Sequence, residues 1–226
     1  DKQVLKFFKL KSKKRPNLLP WKKITKITLN TKKIINIGII GKYVNLKDAY
    51  KSLDEALIHG GIKNNIKVNL VRIESDKLKS NQISKLLKGV SGILIPGGFG
   101  KRGTEGKISA INYARKNKIP FLGICFGMQM AVIEFARNAL KITKAGSTEL
   151  DKNCFPVIGL LNEWNKDGKI IKGTDSDLGG TMRLGLYEAK LRHNSLIEKI
   201  YKSKSIFERH RHRYEVNNNL KNKFEN

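Results

Sequence analysis

The chain has 226 residues, 39% of them hydrophobic, which is enough for one large core and too apolar for a disordered polypeptide. Lysine and arginine number 46 against 19 acidic residues, a formal net charge of +27, yet the cations are mostly lysine, scattered, and not interleaved with aromatics as a nucleic-acid platform requires. Two cysteines make no disulfide framework and no apolar run is long enough to span a bilayer, so the expected setting is cytoplasmic, with no membrane partner and no specific nucleic acid.

In chain order, residues 1–33 read as an arm: lysine-rich, with Pro16 and Pro20 and no sustained period, as in a linker or the end of a preceding domain. The start is basic, has no apolar leader and does not begin with Met, which suggests a fragment. At Ile34 the pattern changes. "IINIGIIGKY" is a nearly continuous apolar run, as in a strand buried on both faces. "DAYKSLDEALIHGG" follows at helical spacing, with Gly60-Gly61 as its expected end. "IKVNLVRI" predicts a strand, "QISKLLKG" a short helix, and "SGILIPGGFG" a strand running into glycines. "EGKISAINYARKN" is a helix, "IPFLGIC" a strand and "GMQMAVIEFARNAL" a helix.

Beyond about Gly146 the alternation weakens. "FPVIGLL", "TMRLGLYEAKL" and "KSIFERHRHRYEV" read as strands, and "NSLIEKIY" as one short helix. The prediction is an α/β fold: a mostly parallel central sheet flanked by helices over residues 34–226, with a smaller antiparallel strand region in the C-terminal third. Right-handed crossovers place any site along one edge of that sheet.

The stretch that suggests chemistry is "PFLGICFGMQMAV", Pro120 to Val132. Cys125 lies between Gly123 and Gly127, where a strand passes into a helix. The helix start favours thiolate through its free amides and dipole. The glycines permit a sharp turn, and the Phe126 N–H is aimed where an oxyanion would form. A cysteine after an apolar strand is also a common core residue. "ILIPGGFG" ends another strand on the same edge, and makes the Gly98 amide a second candidate oxyanion donor.

Four stretches together carry a family resemblance: "IGIIGKYVNLKDAYKSLDEALIHGG", "GILIPGGFGKRGTEGKISAINYARKNKIPFLGICFGMQMAVIEFARN", "SDLGGTMRLG" and "ERHRHRYEVNN". They resemble the glutamine amidotransferase domain of the CTP synthases, a class I (triad) amidotransferase with a flavodoxin-like fold. The resemblance runs from about Ile34 to Asn218. It implies that this domain hydrolyses L-glutamine to glutamate and ammonia and needs no metal or cofactor of its own. A separate synthase domain, absent here, uses ATP and Mg²⁺ to aminate UTP to CTP, with GTP as allosteric activator and a homotetramer as the full-length assembly.

Residue by residue, the resemblance implies Cys125 as the nucleophile that forms a glutamyl thioester. Gly98 and Phe126 supply oxyanion-hole amides. Gly127, Met128 and Gln129 are substrate-binding positions, with Gln129, on the first turn of the following helix, in contact with the substrate. Glu149 binds the glutamine ammonium, and Arg213 lies at its main-chain end. Phe126 departs from the leucine usual in the family, which bears on local packing and not on the backbone amide. "SDLGGTMRLG" matches a lid loop with Thr181 and Arg183, and "GKRGTEG" a loop tied to GTP activation with Arg102 and Glu105.

A nucleophile of this kind pairs with a histidine held by a carboxylate. The family carries that pair in a Phe-His-Pro-Glu-Phe segment. None of His59, His193, His210 and His212 is followed by Pro-Glu. His210 and His212 belong to the substrate segment, so the expectation is a chain cut short of its base, with little or no turnover by itself. Three other readings stay open: a different amidotransferase or cysteine hydrolase on the same fold, a basic binding module, and a catalytically dead structural paralogue.

Overall fold

The computed structural model describes residues 2–11, 17–44, 46–78, 81–160, 163–166, 169–172 and 182–225. The apolar runs become a four-stranded parallel sheet: β1 (Ile34–Gly41), β2 (Lys67–Glu74), β3 (Gly92–Ile95) and β4 (Phe121–Gly123), in the order β2-β1-β3-β4. Its register pairs Ile34 with Lys67, Ile37 with Gly92 and Ile93 with Phe121. Ile39, Ile40, Ile93, Leu94 and Ile95 are buried, as continuous apolar strands in a covered sheet should be.

The α-helices among the described residues are α1 (Lys2–Phe7), α2 (Leu19–Asn30), α3 (Lys51–Lys63), α4 (Ile83–Leu86), α5 (Thr104–Lys116), α6 (Phe126–Asn138), α7 (Leu196–Tyr201) and α8 (Lys221–Glu225). α5 and α6 bury Ile108, Ile111, Ala114, Met130, Ile133 and Ala136 in the core. Burial of each large aliphatic side chain stabilises the fold by about 1.5–3 kcal/mol. Glu134 of α6 is 1% exposed and is held by Arg115 of α5 at 2.9 Å. Asn112 and Asn138 also donate to it, at 2.7 and 3.2 Å. A buried carboxylate survives only with such a set of donors.

The second layer of strands is smaller. β5 (Ala145–Ser147) runs parallel to β6 (Phe155–Leu160), which pairs antiparallel with β11 (Tyr214–Val216). β9 (Arg183–Lys190) and β10 (Ser205–His212) form an antiparallel pair, as do β7 (Glu163–Lys166) and β8 (Lys169–Lys172). The α/β class with an antiparallel C-terminal third is therefore the fold observed.

Three details differ from expectation. The arm contains helices α1 and α2, neither with a buried residue. Pro20 sits in the first turn of α2, where its missing N–H costs nothing, so the proline that read as a linker signal starts a helix. Gly60-Gly61 does not end α3, which continues to Lys63, and the chain reverses at Asn65 with φ 53°. Gly61 serves close packing instead, since a β-carbon there would lie 2.6 Å from the Ile66 carbonyl oxygen. Finally, "KSIFERHRHRYEV" is two strands in two sheets, with Arg213 as the single residue between β10 and β11.

Candidate functional site

The sheet's C-terminal edge gathers the chemistry. Cys125 links β4 to α6 with φ 50° and ψ −105°, a conformation that costs a non-glycine residue on the order of 1–3 kcal/mol. Backbone bonds hold it there. Ile124 N–H donates to the Ile95 carbonyl at 3.0 Å, Gly127 N–H to Ile124 at 2.9 Å, and Gln129 N–H to Cys125 at 3.1 Å. Both flanking glycines are sterically required. A β-carbon on Gly123 would lie 2.6 Å from the Met128 nitrogen, and one on Gly127 2.1 Å from the Ile95 oxygen.

Cys125 is exposed as a residue, yet the protein around its thiol removes enough water to push the pKa up. The Phe126 N–H opposes this by hydrogen bonding to the sulfur, and the Glu149 carboxylate adds to the rise. At neutral pH the group rests as a thiol and needs a base to become a nucleophile.

The glycine loop after β3 lies beside this elbow. A β-carbon on Gly97 would be 3.6 Å from that of Cys125, whereas one on Gly98 would meet nothing within 4 Å. The loop has two anchors. Gly100 N–H donates to Glu149 Oε1 at 3.0 Å. From the end of β1, Lys42 Nζ donates to the Phe99 carbonyl and, at 3.1 Å, to that of Gly100. Burial lowers the Lys42 pKa, Arg102 lowers it further, and Asp76 and Glu149 pull it back up.

Two ammonium groups face the Phe126 ring, which is 1% exposed: Lys42 at 5.7 Å and Lys107 at 5.2 Å from its centroid. Lys107 is 3% exposed, and burial, with Lys42 beside it, brings its pKa down to about 8.

Gln129 is buried in the first turn of α6, and its side-chain amide donates to the Tyr214 carbonyl at 2.9 Å. This bond brings the HRHRYE segment to the nucleophile helix, with Arg213 one residue away. Arg213 is half-buried, and its side chain has no hydrogen bond or ion pair to another described residue. Gly127 packs on the backbone of β3. The Met128 side chain lines a groove with Phe121, Val132 and Phe224.

Among the remaining predicted residues, Arg102 lies 3.5 Å from Asp76 and over the Tyr43 ring. Glu105 pairs with Arg137 at 3.0 Å. Arg183 pairs with Glu215 at 3.0 Å and stacks on Tyr187. Thr181, with the rest of its loop from Ser176, lies outside the described residues.

All four histidines are described, and none hydrogen-bonds Cys125. His59 is 3.9 Å from Glu55 and His193 3.4 Å from Glu198. His210 Nδ1 meets His212 Nε2 at 2.8 Å, and His212 Nδ1 meets the Tyr214 carbonyl at 3.2 Å. No group of three or more His, Cys, Asp or Glu suited to a metal ion occurs among the described residues. No helix there is long and apolar enough to cross a membrane.

Sequence reasoning missed Lys42 and Lys107. Lys42 directly follows β1 at the site edge, a positional signal. Lys107 lies one residue before Ile108 on the buried face of α5, where a cation needs a partner.

Residues 45–226 match the glutamine amidotransferase class-I family. The chain is 73% identical over 225 residues to the CTP synthase of Pelagibacter ubique and 52% identical over 218 residues to that of Methylobacterium radiotolerans. These alignments take in 100% and 96% of this chain but only 42% and 40% of the relatives' lengths. Among solved structures, the glutaminase domain of Trypanosoma brucei CTPS with bound acivicin superposes with a TM-score of 0.73 at 34% identity, covering 84% of this chain and 71% of that one.

Proposed function

Because the chain belongs to the class-I glutamine amidotransferase family, we propose that it is the glutaminase part of a CTP synthase. Its substrate is L-glutamine. A base takes the Cys125 proton and the sulfur adds to the side-chain amide carbonyl. Charge develops on that oxygen within reach of the Gly98 and Phe126 amides. Collapse of the adduct expels ammonia, which leaves with the proton the base had taken. Water then cleaves the glutamyl thioester to release glutamate and restore the thiol.

The substrate's ammonium is met by Glu149, whose carboxylate already lies over the glycine loop, and its carboxylate by Arg213. The ammonia serves a separate synthase part that uses ATP, Mg²⁺ and UTP. GTP stimulates the glutaminase step through the Arg102, Glu105, Thr181 and Arg183 loops, and the whole enzyme is a cytoplasmic homotetramer. Residues 1–33 act as the connecting arm. The base comes from outside these 226 residues, since no histidine among them hydrogen-bonds Cys125.

The observation that carries this reading is the strained Cys125 elbow beside the anchored glycine loop. Glutamate release by the intact protein tests it, with Cys125→Ser expected to lower turnover by about 10⁴-fold or more. Intact protein that turns glutamine over equally well with Cys125→Ser rules the nucleophile out. Rapid turnover by the 226-residue chain alone, lost on that substitution, rules out an external base.

A further inference from the structure

We propose that Lys42 is a positioning residue that assembles the oxyanion hole by tying the carriers of its two donors together. This rests on the amidotransferase reading above. An oxyanion hole works only if its donors are fixed before charge develops. The carrier of the first donor has little to fix it. In the run Pro96-Gly97-Gly98-Phe99-Gly100, three residues have no side chain, and Phe99 is 78% exposed.

Glu149 holds one N–H of that loop, and Lys42 holds two successive carbonyls, those of Phe99 and Gly100. The carrier of the second donor is Phe126, whose buried ring lies 5.7 Å from the same ammonium. One cation at the end of β1 thus touches the loop that presents Gly98 and the residue that presents its own N–H. Lys107 supports the ring from α5 but makes no hydrogen bond to the loop among the described residues.

The side-chain hydrogen bonds of Lys42 go to the loop carbonyls, and none joins it to Cys125 among the described residues. Its role therefore separates from activation of the nucleophile, which gives the test its form. Glutamine hydrolysis builds an oxyanion, whereas alkylation of the thiol by iodoacetamide displaces iodide and builds none.

In the intact protein, Lys42→Met is expected to lower kcat for glutamine about 100-fold, with KM and the Cys125 alkylation rate within about twofold of the parent. Lys42→Arg, which keeps the charge and N–H donors, is expected to recover about tenfold of that loss. Where the methionine variant does not fold, Lys42→Gln is read by the same ratio. Unchanged kcat, or alkylation that falls in step with turnover, would overturn the proposal. A parent protein that releases no glutamate would count against the amidotransferase reading alone. Amide exchange then decides the role of Lys42: about tenfold faster exchange at Phe99 and Gly100 in Lys42→Met supports it, and unchanged exchange overturns it.

Discussion

The thiol of Cys125 is pulled in opposite directions, and the balance can be measured. Desolvation raises its pKa most, the Phe126 N–H lowers it, and the Glu149 carboxylate raises it. Iodoacetamide reacts with thiolate, so its rate should climb with pH to a midpoint above the ordinary thiol value of about 8.5. Glu149→Gln removes the negative charge and should move that midpoint down, speeding alkylation at pH 7.5 while weakening glutamine binding. A midpoint that stays in place would mean that the carboxylate does not act on the sulfur. At this scale the elbow was legible because Gly123, Cys125 and Gly127 lie close together in sequence, and the glycine loop because it ends β3, the strand next to β4. Lys42 was not, since it reaches the loop across 57 and 58 positions of sequence.

Among elements, the α5–α6 contact carries the heaviest electrostatic demand. Glu134 is buried among three donors, of which Arg115 alone carries charge. Arg115→Ala should destabilise the chain by about 3 kcal/mol, the lower part of the range for breaking a buried pair, because the arginine itself is partly exposed. Urea unfolding followed by circular dichroism checks this, and a change below about 1 kcal/mol would show that the two asparagines suffice. Strands β1, β3 and β4 were readable from sequence as apolar runs, the edge strand β2 as a mixed apolar and polar stretch, and helices α5 and α6 by their helical periods. Helix α2 was not: Trp21, Ile24 and Ile27 do fall at helical spacing, but none is buried, and the prolines and lysines around them read as a linker. The break at Arg213 escaped notice for a different reason: one residue alone parts β10 from β11, and only pairing with different partners separates them.

Over the whole molecule, one network joins the outlying strands to the site: Tyr187, His210, His212, Arg183 and Glu215. Burial lowers both histidine pKa values, and Arg183 lowers them further. For His210, His212 also lowers it, against Glu215 and Glu208; for His212, the Tyr214 carbonyl pulls the other way. An imidazole depressed in the folded state contributes stability that is full above its unfolded value of about 6.5 and is lost as pH falls through the folded values. Glu215, raised by its own burial, acts in the opposite sense at lower pH. The urea midpoint should therefore drop between pH 7.5 and 5.5, and the double change His210→Gln, His212→Gln should flatten that slope. An equal slope in both proteins would remove the pair from the account.

The net charge of +27 belongs to this same scale, since the cations are scattered along the whole sequence. A gene drifting towards A- and T-rich codons can trade arginine for lysine there at little cost. At positions 123 and 127 it cannot drift, because glycine codons begin with two guanines and any added β-carbon strikes backbone. Base composition is free to reshape the surface of this protein, and the triplets on either side of its thiol are among those it cannot touch.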